Sequence, residues 1–174
     1  SSGFCRVRSM SSALLAAALL SLLLAGSAWA DHSALTQKPG TAGCIAEAGT
    51  NQACAGGTGL HGAGSVAVSP DGANAYVATQ DSDAVAIFDR NATTGALTQK
   101  AGTAGCISET GTFGACVDGK ALDSAETVTV SPDGASVYVG SRLSDAIAVF
   151  DRNTTSGELT QKAGTAGCVS ETGT

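Results

Sequence analysis

Positive charge, histidine and aromatic side chains are all scarce in this chain. Nine lysines and arginines stand against fifteen aspartates and glutamates, and there are only two histidines among 174 residues. An acidic chain argues against nucleic acid as a partner, because binding to phosphates requires a basic face. The low aromatic content, 4 %, would fit a disordered chain, but the regular β-strand pattern outweighs that indication.

Several catalytic and metal-binding signatures are also absent from the sequence. There is no G-x-S-x-G nucleophile elbow and no H-E-x-x-H helix. The cysteines show neither the C-x-x-C spacing of a redox pair nor the short spacings of a zinc site. The sequence therefore predicts no metal, no cofactor and no identifiable catalytic residue.

A repeat with a period of 62 residues organises the chain. Residues 35–96 and 97–158 agree at 37 of 62 positions without an insertion, and residues 159–174 begin a third copy. A strict period of this length predicts an array of one supersecondary unit. We expect residues 31–174 to form a partial domain of a longer protein, since the chain starts without Met and stops inside its third copy.

Each copy contains four short segments of strand-like sequence joined by turns. The predicted strands of the first copy are residues 65–69, 75–79, 84–89 and 96–100. The turns between them are Ser69-Pro70-Asp71-Gly72, Asp81-Ser82-Asp83 and residues 91–95. Residues 34–38 match the fourth strand of a blade. We therefore expect the first strand of the repeat array to be the outer strand of a blade.

This pattern predicts an all-β fold made of β-propeller blades, each with four antiparallel strands. About two complete blades are present. A β-sandwich array is the main alternative, but a sandwich needs about seven strands of distinct sequence rather than four strands copied.

Two cysteines recur ten residues apart in the glycine-rich connection between blades. In an exported protein the simplest interpretation is a structural disulfide in each connection. The predicted pairs are Cys44–Cys54 and Cys106–Cys116. Cys168 would pair with a residue ten positions further on, beyond Thr174, and Cys5 lies in the targeting segment.

Two features of the first connection could carry chemistry. Residues 57–62 match the dinucleotide fingerprint G-x-G-x-x-G, but they precede a strand instead of opening a helix, which favours a simple loop. His61 could act as a general base. Its counterpart in the second copy is Asp123, and no nucleophile or orienting partner is identifiable, so a surface histidine is the simpler interpretation.

Turn formation also explains the residues that could suggest calcium binding or glycosylation. Asp81 and Asp83 are too sparse for a calcium loop, and turn formation explains them. Asn91 and Asn153 each begin a glycosylation sequon, and both lie at predicted hairpin tips where a turn role suffices.

Residues 1–30 have the features of a secretory signal peptide. Arg6 and Arg8 precede an apolar run at 13–24, and Ala28-Trp29-Ala30 gives a small-x-small cleavage pattern. The run is short for a bilayer span of about 20 residues, although an uncleaved anchor is the alternative. Cleavage would leave seven basic and fifteen acidic residues, a net charge of −8, and no membrane attachment. We expect a secreted or periplasmic protein.

The repeat resembles a known class of propeller blade. Each unit reads V-x-V-S-P-D-G-x₃-Y-V, followed by S-D-A-x₃-F-D-R-N and G-x-L-T. This unit is similar to the blades of YVTN-type and lactonase-like seven-bladed β-propellers. The matching residues are 66–77 with 82–97, and 128–139 with 144–159. The resemblance implies a propeller fold and, for members with lactonase activity, hydrolysis of sugar lactones. It assigns no catalytic residue to any position of this chain.

Two functions from different classes are left open. The first is an exported propeller that presents a binding or scaffold surface to a protein or carbohydrate ligand. The second is a lactonase-like hydrolase of sugar lactones, of the 6-phosphogluconolactonase type, acting in the central channel. Near-identical blades favour the first, because a catalytic channel needs different residues from different blades to converge.

Overall fold

The chain forms two similar β-sheet blades in a computed structural model that describes residues 35–48 and 53–171. The predicted signal peptide, residues 1–30, lies outside the described residues. The chain divides into two compact units, Ser1–Thr36 and Gln37–Thr174, and every described strand belongs to the second unit. In the described ranges no helix is long and apolar enough to cross a bilayer.

The strands follow one another in the order that the repeat predicts. A short parallel pair, β1 (Ile45–Glu47) and β2 (Ala55–Gly57), precedes the first blade. The strands of the first blade and of the connection after it are β3 (Ala63–Val68), β4 (Asn74–Thr79), β5 (Ala84–Arg90), β6 (Leu97–Gln99), β7 (Cys106–Ser108) and β8 (Val117–Asp118). The second blade repeats them as β9 (Ala125–Val130), β10 (Ser136–Ser141), β11 (Ala146–Arg152), β12 (Leu159–Gln161) and β13 (Cys168–Ser170).

Neighbouring strands within each blade are antiparallel, in the order β3-β4-β5-β6 and β9-β10-β11-β12. The all-β propeller prediction is confirmed, and the predicted strand limits in the first copy agree within two residues. Short 3₁₀ turns at Gly40–Gly43, Gly102–Gly105, Gly111–Gly114 and Gly164–Ala166 are the only helical segments in the described residues.

The outer strand of the first blade differs from the prediction because it is built from two pieces. β6 pairs with residues 88–90 of β5, whereas β7 pairs with residues 84–86 of the same strand. The 3₁₀ turn at Gly102–Gly105 shifts the chain along this edge between the two pieces. The connection predicted as a loop therefore contributes a strand, and β8 adds to it in parallel.

The strand predicted at residues 34–38 does not form in the described part, where residues 35–38 belong to no strand. Its counterparts β6 and β12 are three-residue strands that hydrogen-bond only to the third strand of their own blade. Among the described residues, no third strand precedes residue 35 to pair with this segment.

The Ser-Pro-Asp-Gly turn is fixed by its own side chains. The Ser69 hydroxyl donates to the Asp71 carboxylate (2.5 Å) and accepts from the Asn74 N–H (3.0 Å). The same carboxylate accepts from the Ala73 N–H (2.9 Å), and Gly72 adopts a φ of +71°, which glycine tolerates best. The second copy repeats these contacts, so the turn delivers the chain into the second strand at a defined position.

The main apolar core lies between the two blades. One face of the first blade packs on the opposite face of the second, as successive blades of a propeller do. Its largest fully buried members are Tyr76, Val85 and Ile87 from the first blade, Ile107 and Leu122 from the connection, and Val137, Val139 and Phe150 from the second blade. Most of the apolar stabilisation therefore comes from stacking blades on one another.

Two disulfides, Cys44–Cys54 and Cys106–Cys116, join the connection strands to the chain ten residues later. Cys106 and Cys116 are both buried, and the bridge closes the segment between β7 and β8. Cys168, the third member of the series, is unpaired in the described residues.

We predict that replacing Cys106 and Cys116 together by serine lowers the free energy of unfolding by about 2.5 kcal/mol, because the open loop regains chain entropy. Urea unfolding followed by circular dichroism measures this change. Cys168→Ser is the matched control and should leave the midpoint unchanged. Equal effects of the two changes would contradict a stabilising role for the bridge.

Candidate functional site

The first connection holds its polar residues in turns rather than in a ligand-binding loop. Residues 57–62 run from the end of β2 into the turn before β3, with no helix after them. His61 is exposed, and the turn is held by its backbone: its N–H donates to the Ser82 hydroxyl (3.0 Å). Asp123 makes the same bond to Ser144 (3.0 Å), so both copies use this position structurally.

Asp83 and the sequon asparagines also serve turns and junctions. The Asp83 carboxylate accepts the Ser124 N–H (2.7 Å) across the blade junction. The Asn91 side chain accepts the N–H groups of residues 93 and 94, and Asn153 does the same one repeat later. Among the described residues, no group of three or more His, Cys, Asp or Glu side chains could hold a metal ion.

A buried arginine joins the two blades at one end of the sheets. Arg152, at the end of β11, donates to the Tyr76 hydroxyl (2.7 Å), the Asp71 carboxylate (2.8 Å) and the Asn74 side-chain oxygen (2.7 Å) of the first blade. It also donates to the Gly134 carbonyl of its own blade (3.0 Å). We call Arg152, Asp71, Asn74 and Tyr76 the junction cluster. These contacts give a structural role to residues of the repeat signature.

Charge and burial shape the protonation of this cluster. Hydrogen bonds from the Ser69 hydroxyl, the Ala73 N–H and Arg152 lower the pKa of Asp71 to about 2. Burial raises the pKa of Tyr76, against the opposing effect of its bond from Arg152. The Tyr76 hydroxyl donates in turn to the Gly157 carbonyl (2.8 Å), so both of its hydrogen bonds cross the junction to the second blade.

The two copies agree at most positions of the end of the sheets that holds the junction cluster, although Asn74 and residues 92, 94 and 96 of the adjoining hairpin differ. We call this the constant end, and all thirteen of its compared positions match between copies. Those positions are residues 69–73, 88–91 and 97–100, with counterparts 62 residues later.

At the opposite end, eight of nine compared positions differ between the copies. We call this the variable end: residues 61–65 and 78–81 in the first blade, and 123–127 and 140–143 in the second. Strand register places them together, because Ala63 pairs with Thr79 and Ala125 pairs with Ser141. The disulfide-bearing connections reach the same end, since β7 pairs with the first residues of β5.

In the second blade the variable end carries a charged pair beside hydroxyl groups. Arg142 donates to the Glu126 carboxylate (2.8 Å), and both side chains are partly exposed. With Ile147 they also line a depression of about 600 Å³ on the outer face of the second blade, where the counterpart Val85 of the first blade is buried at the junction. The first blade has Gly64 and Gln80 where this ion pair stands, so it offers no equivalent.

Among the described residues, the hydroxyls of two buried serines near this pair have no hydrogen-bond partner. They are Ser124 and Ser141. Ser124 also has a left-handed φ of +57°, whereas its counterpart Gly62 takes a similar φ of +67° without the penalty of a Cβ. An unpaired buried hydroxyl and a left-handed backbone at serine both lower the stability of the folded protein. A contribution to stability therefore does not explain why serine occupies position 124.

The family assignment rests on two overlapping matches to one family model. Residues 58–117 and residues 99–167 match the lactonase family, described as seven-bladed β-propellers, and together they span more than half of the chain. The chain belongs to the lactonase family of β-propellers. This lactonase-family chain matches none of the curated proteins compared with it.

Several solved structures are similar to this lactonase-family chain. A candidate 6-phosphogluconolactonase from Bacteroides fragilis is 26 % identical, with 56 % of this chain and 23 % of that one covered and a TM-score of 0.44. A protein from Lactobacillus plantarum is 29 % identical, with coverages of 55 % and 25 % and a TM-score of 0.42. A candidate 6-phosphogluconolactonase from Bacteroides uniformis is 23 % identical, with coverages of 56 % and 24 % and a TM-score of 0.43. The lactonase-family chain spans about a quarter of the length of these proteins.

Sequence reasoning missed both the junction cluster and the polar group at the variable end. The arginine stood in the F-D-R-N part of the lactonase-family repeat, but its partners lie 76–81 residues earlier in the chain. A position-by-position comparison of the two copies would have found the variable end, since the differences cluster at the start of β3 and the end of β4.

We predict that Arg152→Ala destabilises the protein by about 3 kcal/mol, because the buried Asn74 and Tyr76 oxygens lose their donor. Chemical unfolding measures the change. Lys162→Ala is the control, since this lysine pairs with Asp151 at the exposed surface and should contribute less than about 1 kcal/mol. Similar losses for both variants would show that Arg152 adds no more than a surface ion pair.

The lowered pKa of Asp71 predicts a pH-dependent contribution to stability. Its carboxylate titrates near 2 when folded and near the ordinary value of 3.8 when unfolded. The stabilisation is therefore full above about pH 4 and is lost as the pH falls through 2. The difference in unfolding free energy between the wild type and Asp71→Asn should shrink over that interval. A difference that stays constant from pH 6 to pH 2 would contradict this assignment.

Proposed function

We propose that this chain belongs to an exported propeller that binds a polyhydroxylated ligand of the sugar-lactone class at the variable end. The observation that supports this is the contrast between the two ends of the blades. Three of the four junction-cluster positions, those of Arg152, Asp71 and Tyr76, hold the same residue in both copies, whereas the positions at the variable end differ at eight of nine. A binding site formed by several blades requires unlike residues at equivalent positions.

The side chains at the variable end suit a ligand rich in hydroxyl groups. Each ligand hydroxyl can both donate and accept, so it can donate to Glu126 and accept from Arg142. The hydroxyls of Ser124 and Ser141 have no hydrogen-bond partner among the described residues, but they are buried, so a ligand would reach them only if the surface over them opens. Leaving such a group unpaired costs about 1–3 kcal/mol, which a bound ligand would offset.

Hydrolysis of sugar lactones is the second candidate, and family membership favours it. Near-identical blades disfavour catalysis, but the two blades of this chain differ at eight of the nine compared positions of the variable end. Nevertheless, the Ser124 and Ser141 hydroxyls are not hydrogen-bonded to any base among the described residues. Binding is therefore our first proposal and hydrolysis the alternative.

Export fits the two disulfides in the described residues, since such bridges persist in oxidising compartments. We accordingly place the protein in the periplasm or outside the cell. Acidic residues outnumber basic ones, which supports a carbohydrate or protein partner rather than nucleic acid.

We predict that Ser124→Gly separates binding from stability. The change removes a left-handed serine and an unpaired buried hydroxyl, so it should raise the free energy of unfolding by about 1 kcal/mol. It should also abolish the rise in melting temperature that fresh glucono-1,5-lactone gives the wild type. Thermal unfolding by circular dichroism, with and without the lactone, provides both values.

Ser136→Gly is the control, because Ser136 begins β10 at the constant end, away from the variable end, and a glycine weakens a strand. This variant should lose stability and keep the response to the lactone. Loss of stability in Ser124→Gly would show that the serine is structural. No response of the wild type to the lactone would exclude this ligand class.

Acid release followed in a pH-stat distinguishes binding from hydrolysis. Our proposal requires that the protein does not open glucono-1,5-lactone faster than the solvent background. A clear enzymatic rate that disappears in Glu126→Gln would favour the hydrolase alternative instead.

A further inference from the structure

The hairpin between the third and fourth strands of each blade carries a glycosylation sequon. Residues 91–96 read N-A-T-T-G-A in the first blade, and their counterparts 153–158 read N-T-T-S-G-E in the second. The two hairpins agree at the asparagine, at the threonine two residues later and at the glycine, and they differ at the three other positions. The two positions that define the sequon are therefore kept, whereas the position between them, where any residue except proline is allowed, has changed.

Turn formation accounts for the asparagine and the glycine of this hairpin. The Asn91 side-chain oxygen accepts the N–H groups of Thr93 (3.0 Å) and Thr94 (2.9 Å). Gly95 takes a φ of +70°, which favours glycine. The second hairpin repeats both features. Because the turn uses only the side-chain oxygen at its first position, aspartate would serve it as well as asparagine does.

Turn formation does not account for the threonine of the sequon. The Thr93 and Thr155 hydroxyls make no hydrogen bond with any described residue, although the N–H of each threonine donates to its asparagine. The neighbouring Thr94 hydroxyl does serve the turn, since it accepts the Ala96 N–H (3.3 Å). Both blades thus keep a hydroxyl two residues after the asparagine that the fold does not use.

Both asparagines are exposed, and the blade beside each of them does not cover it. Asn153 is exposed although the preceding blade packs against its hairpin, where the Gly157 carbonyl accepts the Tyr76 hydroxyl. Asn91 is exposed although the second blade follows its own. A blade with a neighbour on each side would therefore still expose this position. The Nδ2 of each asparagine donates no hydrogen bond within the described ranges.

We propose that Asn91 and Asn153 are N-glycosylated, so that each of the two blades carries one glycan. In this reaction Nδ2 attacks C1 of a sugar that is linked to a polyprenyl diphosphate. A C–N bond forms, the C1–O bond to the diphosphate breaks, and Nδ2 gives up a proton as the lipid diphosphate leaves. The sequon threonine marks the asparagine as an acceptor in a surface loop of an exported protein.

The position of these hairpins suits a bulky modification. Asn91 belongs to the constant end, so a glycan there lies at the opposite end of the sheets from the variable end. Glycans are large and solubilising groups that occur at protein surfaces. The modification would therefore leave the variable end accessible. It rests on the proposed export of the chain, and it does not depend on the ligand proposed for the variable end.

Mass spectrometry of the exported protein tests this proposal. The full-length protein is purified from the cells that naturally make it and is cleaved with chymotrypsin after Phe88, Leu97, Phe150 and Leu159. The resulting peptides 89–97 and 151–159 each contain one sequon and differ in mass, because three of their nine residues differ. Both peptides should carry a glycan. A peptide N-glycosidase should convert each asparagine to aspartate as it removes that glycan.

Four variants of the first sequon separate modification from turn formation. Asn91→Asp keeps the oxygen that the turn uses but lacks Nδ2, and Thr93→Val lacks only the unused hydroxyl. Each should lose the glycan from peptide 89–97. Thr93→Ser and Thr94→Val leave the sequon intact and should keep the glycan. Peptide 151–159 is the internal control and should remain glycosylated in all four variants.

The outcomes distinguish this proposal from the export on which it rests. Exported protein with both peptides unmodified would overturn the glycosylation and leave the export standing. A chain retained in the cytoplasm would overturn both. A glycan that persists on peptide 89–97 in Asn91→Asp would also overturn the proposal, because the sugar would then be attached to a hydroxyl group. Circular dichroism should show that all four variants are folded.

Discussion

The contact between Arg152 and the preceding blade is the interaction on which the rest of the structure depends. A single four-stranded blade has two apolar faces and cannot bury both by itself. Arg152 brings a positive charge to the turn and second strand of its neighbour, where Asp71, Asn74 and Tyr76 accept its hydrogen bonds. The bonds fix the rotation of one blade against the next, and the apolar core between them follows from that placement.

The two ends of each blade consequently differ in how well they tolerate amino-acid substitutions. At the constant end, a new side chain would disturb two blades at once, because the turn, the arginine and the tyrosine all meet there. At the variable end, side chains face the connections and the hairpin between the second and third strands, where substitutions disturb fewer shared contacts. Glu126, Arg142 and Ser124 occur in one copy only, and the sheet around them keeps the same register.

Local features of the fold could be read from the sequence, and distant contacts could not. The alternation of residues 65–69 and the Ser-Pro-Asp-Gly turn depend on a few neighbouring residues, so the strands were predictable. The 62-residue period showed that these strands recur as blades. The partners of Arg152 lie in another repeat, and no pattern in the sequence joins them. The divided outer strand was missed because Cys106–Ser108 is too short to show a period, and its pairing depends on the exposed edge of β5.

Gly157 shows how closely the two blades approach each other at the junction. A Cβ at this position would lie 2.2 Å from the Asn74 side chain of the preceding blade, so even alanine would wedge the sheets apart. Every residue that forms the contact is nevertheless contained within one 62-residue period and its copy. Unequal recombination between such copies could add or remove a whole blade and still leave matching surfaces on both sides. A propeller encoded in this way can gain or lose blades during evolution while the contacts between neighbouring blades stay the same.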